Sequence, residues 1–266
     1  MADFTTLALE RRGAIEILSL DRPDALNAIS PEMVEEASAY FNGLYGRLDV
    51  RVVILRGNGR AFSAGADLGS VAFAESGAGR PQRQMAMQKR YSGLIKLMRG
   101  CPQPIISAID GVCVGAGAIL AMASDIRLAT PAAKTAFLFT RVGLAGCDMG
   151  ACAILPRLIG HGRASELLFS GRFMSAEEGD RWGFHNRLVA PEELIAAAME
   201  MARGLAAGPT FAHGITKTQL NTEWAVSLDV AIEMEAQAQA ICMQTQDFHR
   251  AYEAFAAKKQ PTFEGN

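Results

Sequence analysis

The sequence predicts an α/β fold that is followed by a helical C-terminal segment. Three observations favour this fold. Short apolar runs that are typical of buried strands alternate with helical patterns, small-residue turns join strands to helices, and strand patterns stop beyond Pro191. Half of the 266 residues are apolar, so the chain can bury a large core without disulfides or a structural metal. We expect an α/β core over residues 1–190 and a helical segment over 191–266.

The N-terminal part predicts a hairpin and a helix. Residues 5–10 and 14–20 alternate between apolar and polar side chains on either side of a turn at Gly13. Ser30 and Pro31 then open a helix, because serine is a good N-cap and proline fits the first helical position, where no amide donor is needed.

The middle of the chain predicts alternating strands and helices. Strands are expected at 50–55, 104–109 and 125–129, which are short and rich in apolar residues. One helix stops at Gly100, and another is entered at about Ala116. This alternation indicates parallel strand pairing.

The remaining segments differ in how clear their patterns are. Residues 70–81 are rich in glycine and alanine and have no clear period. Ser175 begins a capping box that opens a further helix. Beyond Pro191 the pattern is helical, with breaks expected only at residues 208–209 and 221–222.

Composition excludes several classes of protein. The net charge of −2 disfavours a broad nucleic-acid surface. The five cysteines are odd in number and lack CxxC pairs, which favours reduced thiols over disulfides or zinc. The longest tempting uncharged run, between Asp110 and Asp125, is shorter than the roughly 20 residues of a membrane span. We expect no metal and no membrane partner, and a cytoplasmic location.

Two small-residue turns carry the clearest chemical signal. Residues 61–67 and 111–117 both allow a ligand to approach the backbone closely, and amides at a helix start point outward. Two such turns can donate two N–H groups to one oxygen, as an oxyanion hole does. Tight packing of helix on strand explains each turn equally well. A dinucleotide site is disfavoured because Leu120 stands where the third glycine would be.

A series of motifs extends over nearly the whole chain, at residues 20–28 (LDRPDALNA), 61–68 (AFSAGADL), 109–111, 115–117, 124–129 (SDIRLA), 155–160 (LPRLIG) and 254–263. In content and order these motifs resemble those of the enoyl-CoA hydratase/isomerase (crotonase) superfamily. The resemblance implies a core of repeated ββα units with a helical C-terminal trimerisation segment. It also implies a homotrimer or hexamer (a dimer of trimers), and an acyl-CoA thioester as substrate with no cofactor besides its CoA.

The resemblance also implies roles for individual residues. The two oxyanion amides fall on Ala66 and Ala116, the second of which stands where the family usually has glycine. The residues expected to line the CoA and acyl sites are Asp24, Ala25, Leu26, Ala64, Ile119, Arg141, Leu144, Phe255 and Lys258. Phe255 and Lys258 match tail residues that reach the CoA of a neighbouring subunit, although an ordinary solvated lysine would look the same.

Two departures from the family set the chemistry. Hydratases of this family use two glutamates, but here Ile119 occupies the first position and the second falls at or next to Arg141. Neither side chain can act as the general acid or base. Arg141 has three interpretations: pairing with Asp148, binding an anionic acyl group, or lying on the outer face.

Asp148 is the remaining candidate acid/base. Its spacing from Leu155 matches a catalytic aspartate in relatives such as dienoyl-CoA isomerases. Its apolar neighbours in sequence, Leu144, Cys147, Met149 and Ile154, should raise the pKa of its carboxyl. The alternative is an N-cap for a helix that starts at Met149. Cys113 and Cys147 are interpreted as small packing residues.

The sequence therefore predicts an acyl-CoA-processing enzyme of the enoyl-CoA hydratase/isomerase type that uses one aspartate. Reactions that need one carboxylate fit best, namely double-bond migration, C–C cleavage or water addition to an activated enoyl group. Two alternatives remain: a hydrolase or C–C lyase acting on a cyclic or aromatic-pathway acyl-CoA, and a non-catalytic acyl-CoA binding protein.

Overall fold

The computed structural model describes residues 4–69 and 77–266. The strands are β1 (Leu7–Arg12), β2 (Ile15–Leu20), β3 (Val52–Gly57), β4 (Ala61–Ser63), β5 (Ile105–Ile109), β6 (Val112–Val114), β7 (Ile126–Ala129), β8 (Lys134–Ala136), β9 (Phe173–Ser175) and β10 (Arg187–Leu188). The helices are α1 (Pro31–Gly43), α2 (Arg80–Gly100), α3 (Ala116–Ala123), α4 (Ala151–Ile159), α5 (His161–Ser170), α6 (Ala176–Trp182), α7 (Leu194–Ala206), α8 (Thr210–Thr222), α9 (Leu228–Cys242) and α10 (Gln246–Ala256). Over this part of the chain, we find no helix that is both long and apolar enough to span a bilayer.

The strands form two sheets. The larger has the order β1-β2-β3-β5-β7-β10, and the smaller has the order β4-β6-β8-β9. β1 and β2 pair antiparallel as the predicted hairpin, whereas the other pairs of the larger sheet are parallel. The α/β fold is confirmed.

A repeated ββα unit builds the core. In β3-β4-α2, β5-β6-α3 and β7-β8-α4, the first strand joins the larger sheet and the second joins the smaller one. The sequence pattern missed β4, β6, β8, β9 and β10, which have only two or three residues each. A strand of that length is too short to show a period. Of the loosely patterned stretch at 70–81, residues 70–76 lie outside the described residues.

The local signals at the helix starts are confirmed. Ser30 Oγ accepts the Met33 amide at 3.2 Å, and Ser175 forms both halves of its capping box with Glu178. These bonds satisfy amides that a helix start leaves without an intrahelical partner.

Helix α7 belongs to the packing of the larger sheet. Its Leu194, Ala198, Met199 and Ala202 are buried in one apolar cluster with β2, β3, β5 and β7. Although α7 begins after residue 190, it covers one face of the sheet. The opposite face contributes to the main apolar core, which also contains α1, α2, α3 and α4.

Helices α8 to α10 form the end of the chain. The prediction of only two breaks here was wrong, because a third separates α9 from α10 at Thr245, whose side chain caps α10. Lys217 attaches α8 to the core through Asp125, with Nζ 2.8 Å from Oδ2. The buried carboxylate of Asp247 accepts the amides of Glu264 and Gly265, both at 2.8 Å, and so holds the last residues against α10.

Candidate active site

The hydrogen bonds that hold the turn after β4 leave one of its backbone amides available to a ligand. The Ile29 amide donates to the Gly65 carbonyl at 2.7 Å, and the Asp67 amide donates to the Ile29 carbonyl at 3.0 Å. This is a parallel bridge between Ile29 and Ala66, in which Ala66 directs its own N–H away from Ile29. Within the described residues, the Ala66 N–H donates no hydrogen bond.

An ion pair braces the same turn. The guanidinium of Arg22 donates to the carboxylate of Asp67 at 2.8 Å and to the carbonyl of Ala28 at 2.6 Å. Arg22 therefore joins the two backbone segments on either side of the Ile29–Ala66 bridge. Both charged side chains are mostly buried, which strengthens the pair relative to one at the surface.

The second turn lies between β6 and α3. Gly115 has φ 52° and ψ −125°, a conformation that only glycine adopts without strain. It allows α3 to begin at Ala116, whose amide lies at the first helical position and has no intrahelical acceptor. Ala116 is buried, and its N–H is also unused within the described chain.

The two turns touch each other. A Cβ on Gly65 would lie 3.0 Å from the Val114 carbonyl oxygen and 3.6 Å from the Ala116 amide nitrogen. Gly65 also has φ 92°, where side chains are strained. The geometry therefore brings together the Ala66 and Ala116 turns, each with an unused amide. An oxygen placed between them could accept two backbone hydrogen bonds.

Asp148 lies in the segment that leads into α4. The alternative interpretation of Asp148, as the N-cap of a helix that starts at Met149, was wrong, because Met149 and Gly150 adopt positive φ and α4 begins only at Ala151. Gly150 is the N-cap residue, and no side chain caps this helix. The Asp148 side chain is thus not committed to capping α4.

The surroundings of Asp148 favour its protonated form. The side chain is half-buried, and burial raises the pKa of its carboxyl, although the Met149 amide partly offsets this by hydrogen bonding. Of the apolar residues near it in sequence, Met149 and Ile154 are buried, whereas Leu144 and Cys147 are exposed. The predicted direction of the pKa shift is confirmed, but only part of the expected apolar surroundings is present.

The positions that match the family's glutamates carry no carboxylate. Ile119 is fully buried in α3. Arg141 is exposed, and its Nε donates to the Ser170 carbonyl at 3.4 Å at the end of α5. In the described part of the chain no ion pair joins Arg141 to Asp148, which disfavours the pairing interpretation, and the exposure of Arg141 together with the Ser170 bond agrees with the outer-face interpretation.

The predicted CoA-binding residues fall into two groups. Asp24, Ala25 and Leu26 lie in a 3-10 turn and the residue after it, and the Ala64 amide donates to the Leu26 carbonyl at 2.9 Å. These four residues are therefore neighbours beside the Ala66 turn. In contrast, Phe255 and Lys258 at the end of α10 are exposed, and no hydrogen bond between described residues joins them to the first group.

The cysteines differ from one another. Cys113 is fully buried in β6, and burial raises the pKa of its thiol, which agrees with a packing role. The packing interpretation of Cys147 was wrong, because this residue is exposed.

Sequence reasoning missed two residues that support the Ala66 turn. Asn27 is fully buried at φ 55°, and its side-chain amide donates to the carbonyls of Asn58 and Ala61, both at 2.8 Å. Ser63 donates to the Asn27 carbonyl. Asparagine tolerates the left-handed conformation better than most residues, so its place between a strand pattern and a helix start was an available signal.

Comparisons with known proteins agree with this architecture. The family model described as enoyl-CoA hydratase/isomerase matches residues 10–266. The chain is 33% identical to the 1,2-epoxyphenylacetyl-CoA isomerase of Escherichia coli, with 100% of both chains covered. It is 30% identical to a probable enoyl-CoA hydratase of Rhodobacter capsulatus, over 98% of this chain and 99% of the relative.

A solved structure shows the same fold. A putative enoyl-CoA hydratase from Streptomyces coelicolor A3(2) superimposes with a TM-score of 0.95 at 36% identity, covering 100% of this chain and 96% of that one. The motifs, the two sheets and the matched length lead to one conclusion: the chain belongs to the enoyl-CoA hydratase/isomerase family.

Proposed function

We propose that this protein is an acyl-CoA isomerase that moves a proton next to the thioester and so shifts a double bond. The observation that supports this proposal most directly is that Asp148 is the one carboxylate among the three acid/base positions considered, which are 119, 141 and 148. Asp148 is half-buried and free of a capping role, while Ile119 and Arg141 occupy the glutamate positions. One carboxylate suffices to remove a proton and return it at another carbon, whereas two-glutamate hydration needs a second.

In this mechanism the backbone stabilises the negative charge. Asp148 removes a proton from the acyl chain, and the electron pair moves onto the thioester oxygen as an enolate. The Ala66 and Ala116 amides donate to that oxygen, and each donor contributes roughly 3 kcal/mol in the transition state. Asp148 then returns the proton, and the enolate collapses to the shifted double bond.

The substrate's CoA would lie across the turn at residues 24–26 and Ala64. Phe255 and Lys258 would act on the CoA of a neighbouring subunit in a homotrimer or a hexamer. Their exposure in the single chain supports this arrangement, because side chains that serve a neighbour have no contact to make within their own chain. The 1,2-epoxyphenylacetyl-CoA isomerase relative also supports an isomerisation.

Hydration is the second candidate, because other relatives carry the name enoyl-CoA hydratase. Asp148 would then activate a water that adds across the double bond. The two alternatives expected from the sequence, a hydrolase or C–C lyase and a non-catalytic binder, are not favoured by these names.

Two isotopes separate the candidates. Vinylacetyl-CoA is incubated with the protein in deuterium oxide, and crotonyl-CoA in ¹⁸O water, and both products are read by mass spectrometry. Isomerisation turns vinylacetyl-CoA into crotonyl-CoA, which is separated by chromatography and gains no oxygen, and deuterium enters the acyl chain to the extent that the proton on Asp148 exchanges with solvent before it is returned. Hydration puts ¹⁸O into a hydroxyacyl product.

The variant Asp148→Asn should lower kcat about a thousandfold, since a positioned general base contributes roughly 10²–10⁴. In the wild type, kcat/KM should rise with pH as Asp148 loses its proton. Because burial raises that pKa, the rise should lie above the usual aspartate range. Asp229→Asn, at an exposed position on α9, is the control. Full turnover by Asp148→Asn would exclude the mechanism.

A further inference from the structure

Ser63 lies at the end of β4, fully buried beside both turns of the candidate site. Its Oγ donates to the Asn27 carbonyl at 2.8 Å and accepts the Gly65 amide at 3.2 Å. The second bond fixes the backbone immediately before the peptide group whose N–H belongs to Ala66. Asn27 is itself anchored by the carbonyls of Asn58 and Ala61.

The same side chain also contacts the second turn. A Cβ on Gly117 would lie 2.5 Å from Ser63 Cβ and 2.8 Å from its Oγ, so β4 packs directly on the first turn of α3. Gly117 follows Ala116, the residue with the second unused amide. Ser63 is therefore hydrogen-bonded to one turn and in van der Waals contact with the other.

We infer that Ser63 is a positioning residue that sets the separation and direction of the Ala66 and Ala116 amides. The inference rests on the proposed function, because it assumes that these amides bind the thioester oxygen. Oxyanion stabilisation depends steeply on donor geometry, and a displacement of about 1 Å can cost a hundredfold in rate. A residue that holds both donors acts on the rate without touching the substrate.

The hydroxyl and the methylene of Ser63 have separable roles. Packing on Gly117 needs only Cβ, which alanine retains. The hydroxyl supplies the hydrogen bonds to Asn27 and Gly65, and Ser63→Ala leaves both backbone groups without a partner. If Ser63 only packs against Gly117, Ser63→Ala should leave substrate binding and the rate unchanged. If Ser63 is a positioning residue, the Ala66 N–H should no longer point at the thioester oxygen in this variant.

The test reads the polarisation of the thioester carbonyl directly. Butyryl-CoA labelled with ¹³C at this carbonyl is bound to the protein, and isotope-edited infrared spectroscopy measures its stretching frequency. Butyryl-CoA has no double bond, so it can be neither isomerised nor hydrated. Hydrogen bonds from the two amides weaken the C=O bond and lower the frequency.

The matched control is Ser107→Ala. Ser107 is an equally buried serine in β5, and its hydroxyl has no hydrogen-bond partner among the described residues. We expect a lowered frequency in the wild type and in Ser107→Ala, and the loss of most of that shift in Ser63→Ala. We also expect kcat of Ser63→Ala to fall about ten- to a hundredfold with KM little changed, because the lost interaction forms mainly in the transition state.

The outcomes distinguish the inference from the proposed function. A wild-type frequency equal to that of free butyryl-CoA in water would remove the oxyanion hole, and the role of Ser63 with it. An equal shift in wild type and Ser63→Ala would overturn only the role of Ser63. If Ser63→Ala fails to fold, Ser63→Cys tests the same point, since its weaker hydrogen bonds should give an intermediate shift.

Discussion

Helices α3 and α9 are both rich in apolar residues, yet their burial is opposite. All eight residues of α3 are buried, whereas none of the fifteen residues of α9 is. α3 lies in the main core and begins with the Ala116 amide of the candidate site. The exposed side chains of α9 include Leu228, Val230 and Ile232.

The difference shows that one chain buries the apolar residues of its core but leaves those of α9 exposed. The core surrounds α3 with strands and helices of the same chain, so its apolar residues are removed from water. An exposed apolar surface on this scale is typical of a protein–protein contact. This supports the proposed assembly, in which α8 to α10 meet a second copy.

The largest predicted effect is on the free energy of unfolding, and it comes from replacing a leucine by glutamine in α3 and, for comparison, in α9. Leu120→Gln places an amide in the core and should lower the free energy of unfolding by about 4 kcal/mol, from lost burial and an unsatisfied polar group. Leu228→Gln, at a side chain that is 74% exposed in the single chain, should change it by less than about 0.5 kcal/mol when the protein is dilute enough to be monomeric, and by more when a second copy covers α9. Urea unfolding followed by circular dichroism measures both.

An equal loss in the two variants would contradict the contrast between the helices. In the monomer it would mean that α9 is buried against its own chain, and at higher concentration it would mean that a second copy covers α9. Light scattering at the same protein concentration would then show whether Leu228→Gln also reduces the size of the assembly.

The histidines offer a second matched pair, with a pH-dependent effect. His185 is buried next to Phe184, both ring nitrogens lack a partner among the described residues, and burial with the nearby Arg127 charge lowers its pKa to about 4. The unfolded chain binds a proton near pH 6.5, so the folded state loses stability as pH falls from there to about 4. The loss should reach about 3 kcal/mol at pH 4.

This pH-dependent loss should be smaller in His185→Phe, which has no proton to bind at that position. His249→Phe, in the exposed part of α10, should keep the wild-type dependence. The measurement is the free energy of unfolding of each variant at pH 7 and at pH 4. Because the free energies at the two pH values are subtracted within each variant, any packing change that the phenyl ring introduces cancels. Identical pH dependence in the two variants would show that His185 is not the group responsible.

The long elements of the fold could be predicted from the sequence because their signals are local. Ser30 and Ser175 mark helix starts through side-chain bonds to amides within the same turn. The break before α10 has a comparable signal, a bond from the Phe248 amide to Thr245 Oγ1 at 3.2 Å, but it lacks glycine and proline and was missed. The shortest strands could not be found because their pairing partners are distant in sequence.

Likewise, the parts of the candidate site that have local signals could be predicted, and the parts that depend on distant residues could not. The small-residue turns could be located because glycine is required where two backbones approach, as at Gly65 and Gly115. The direction of the Ala66 amide could not be predicted, since it depends on one hydrogen bond that Ile29 donates and one that it accepts, and Ile29 is distant in sequence. The orientation of Arg141 likewise depends on a contact with α5.

The smallest predicted effect is a change in the free energy of unfolding that has opposite signs at two aspartates. Asp148→Asn should raise the free energy of unfolding at pH 7 by less than about 1 kcal/mol, because burial raises the pKa of Asp148 and its charged form costs the folded state stability. The gain should disappear below the usual aspartate pKa, where the wild-type carboxyl is protonated in both states. Asp229→Asn removes a favourable charge from the first turn of α9 and should lower stability by about 0.3–1 kcal/mol. Urea unfolding at pH 7 and pH 3 tests both signs. A loss of stability in Asp148→Asn at pH 7 would show that the Asp148 carboxylate stabilises the fold, which would contradict this prediction.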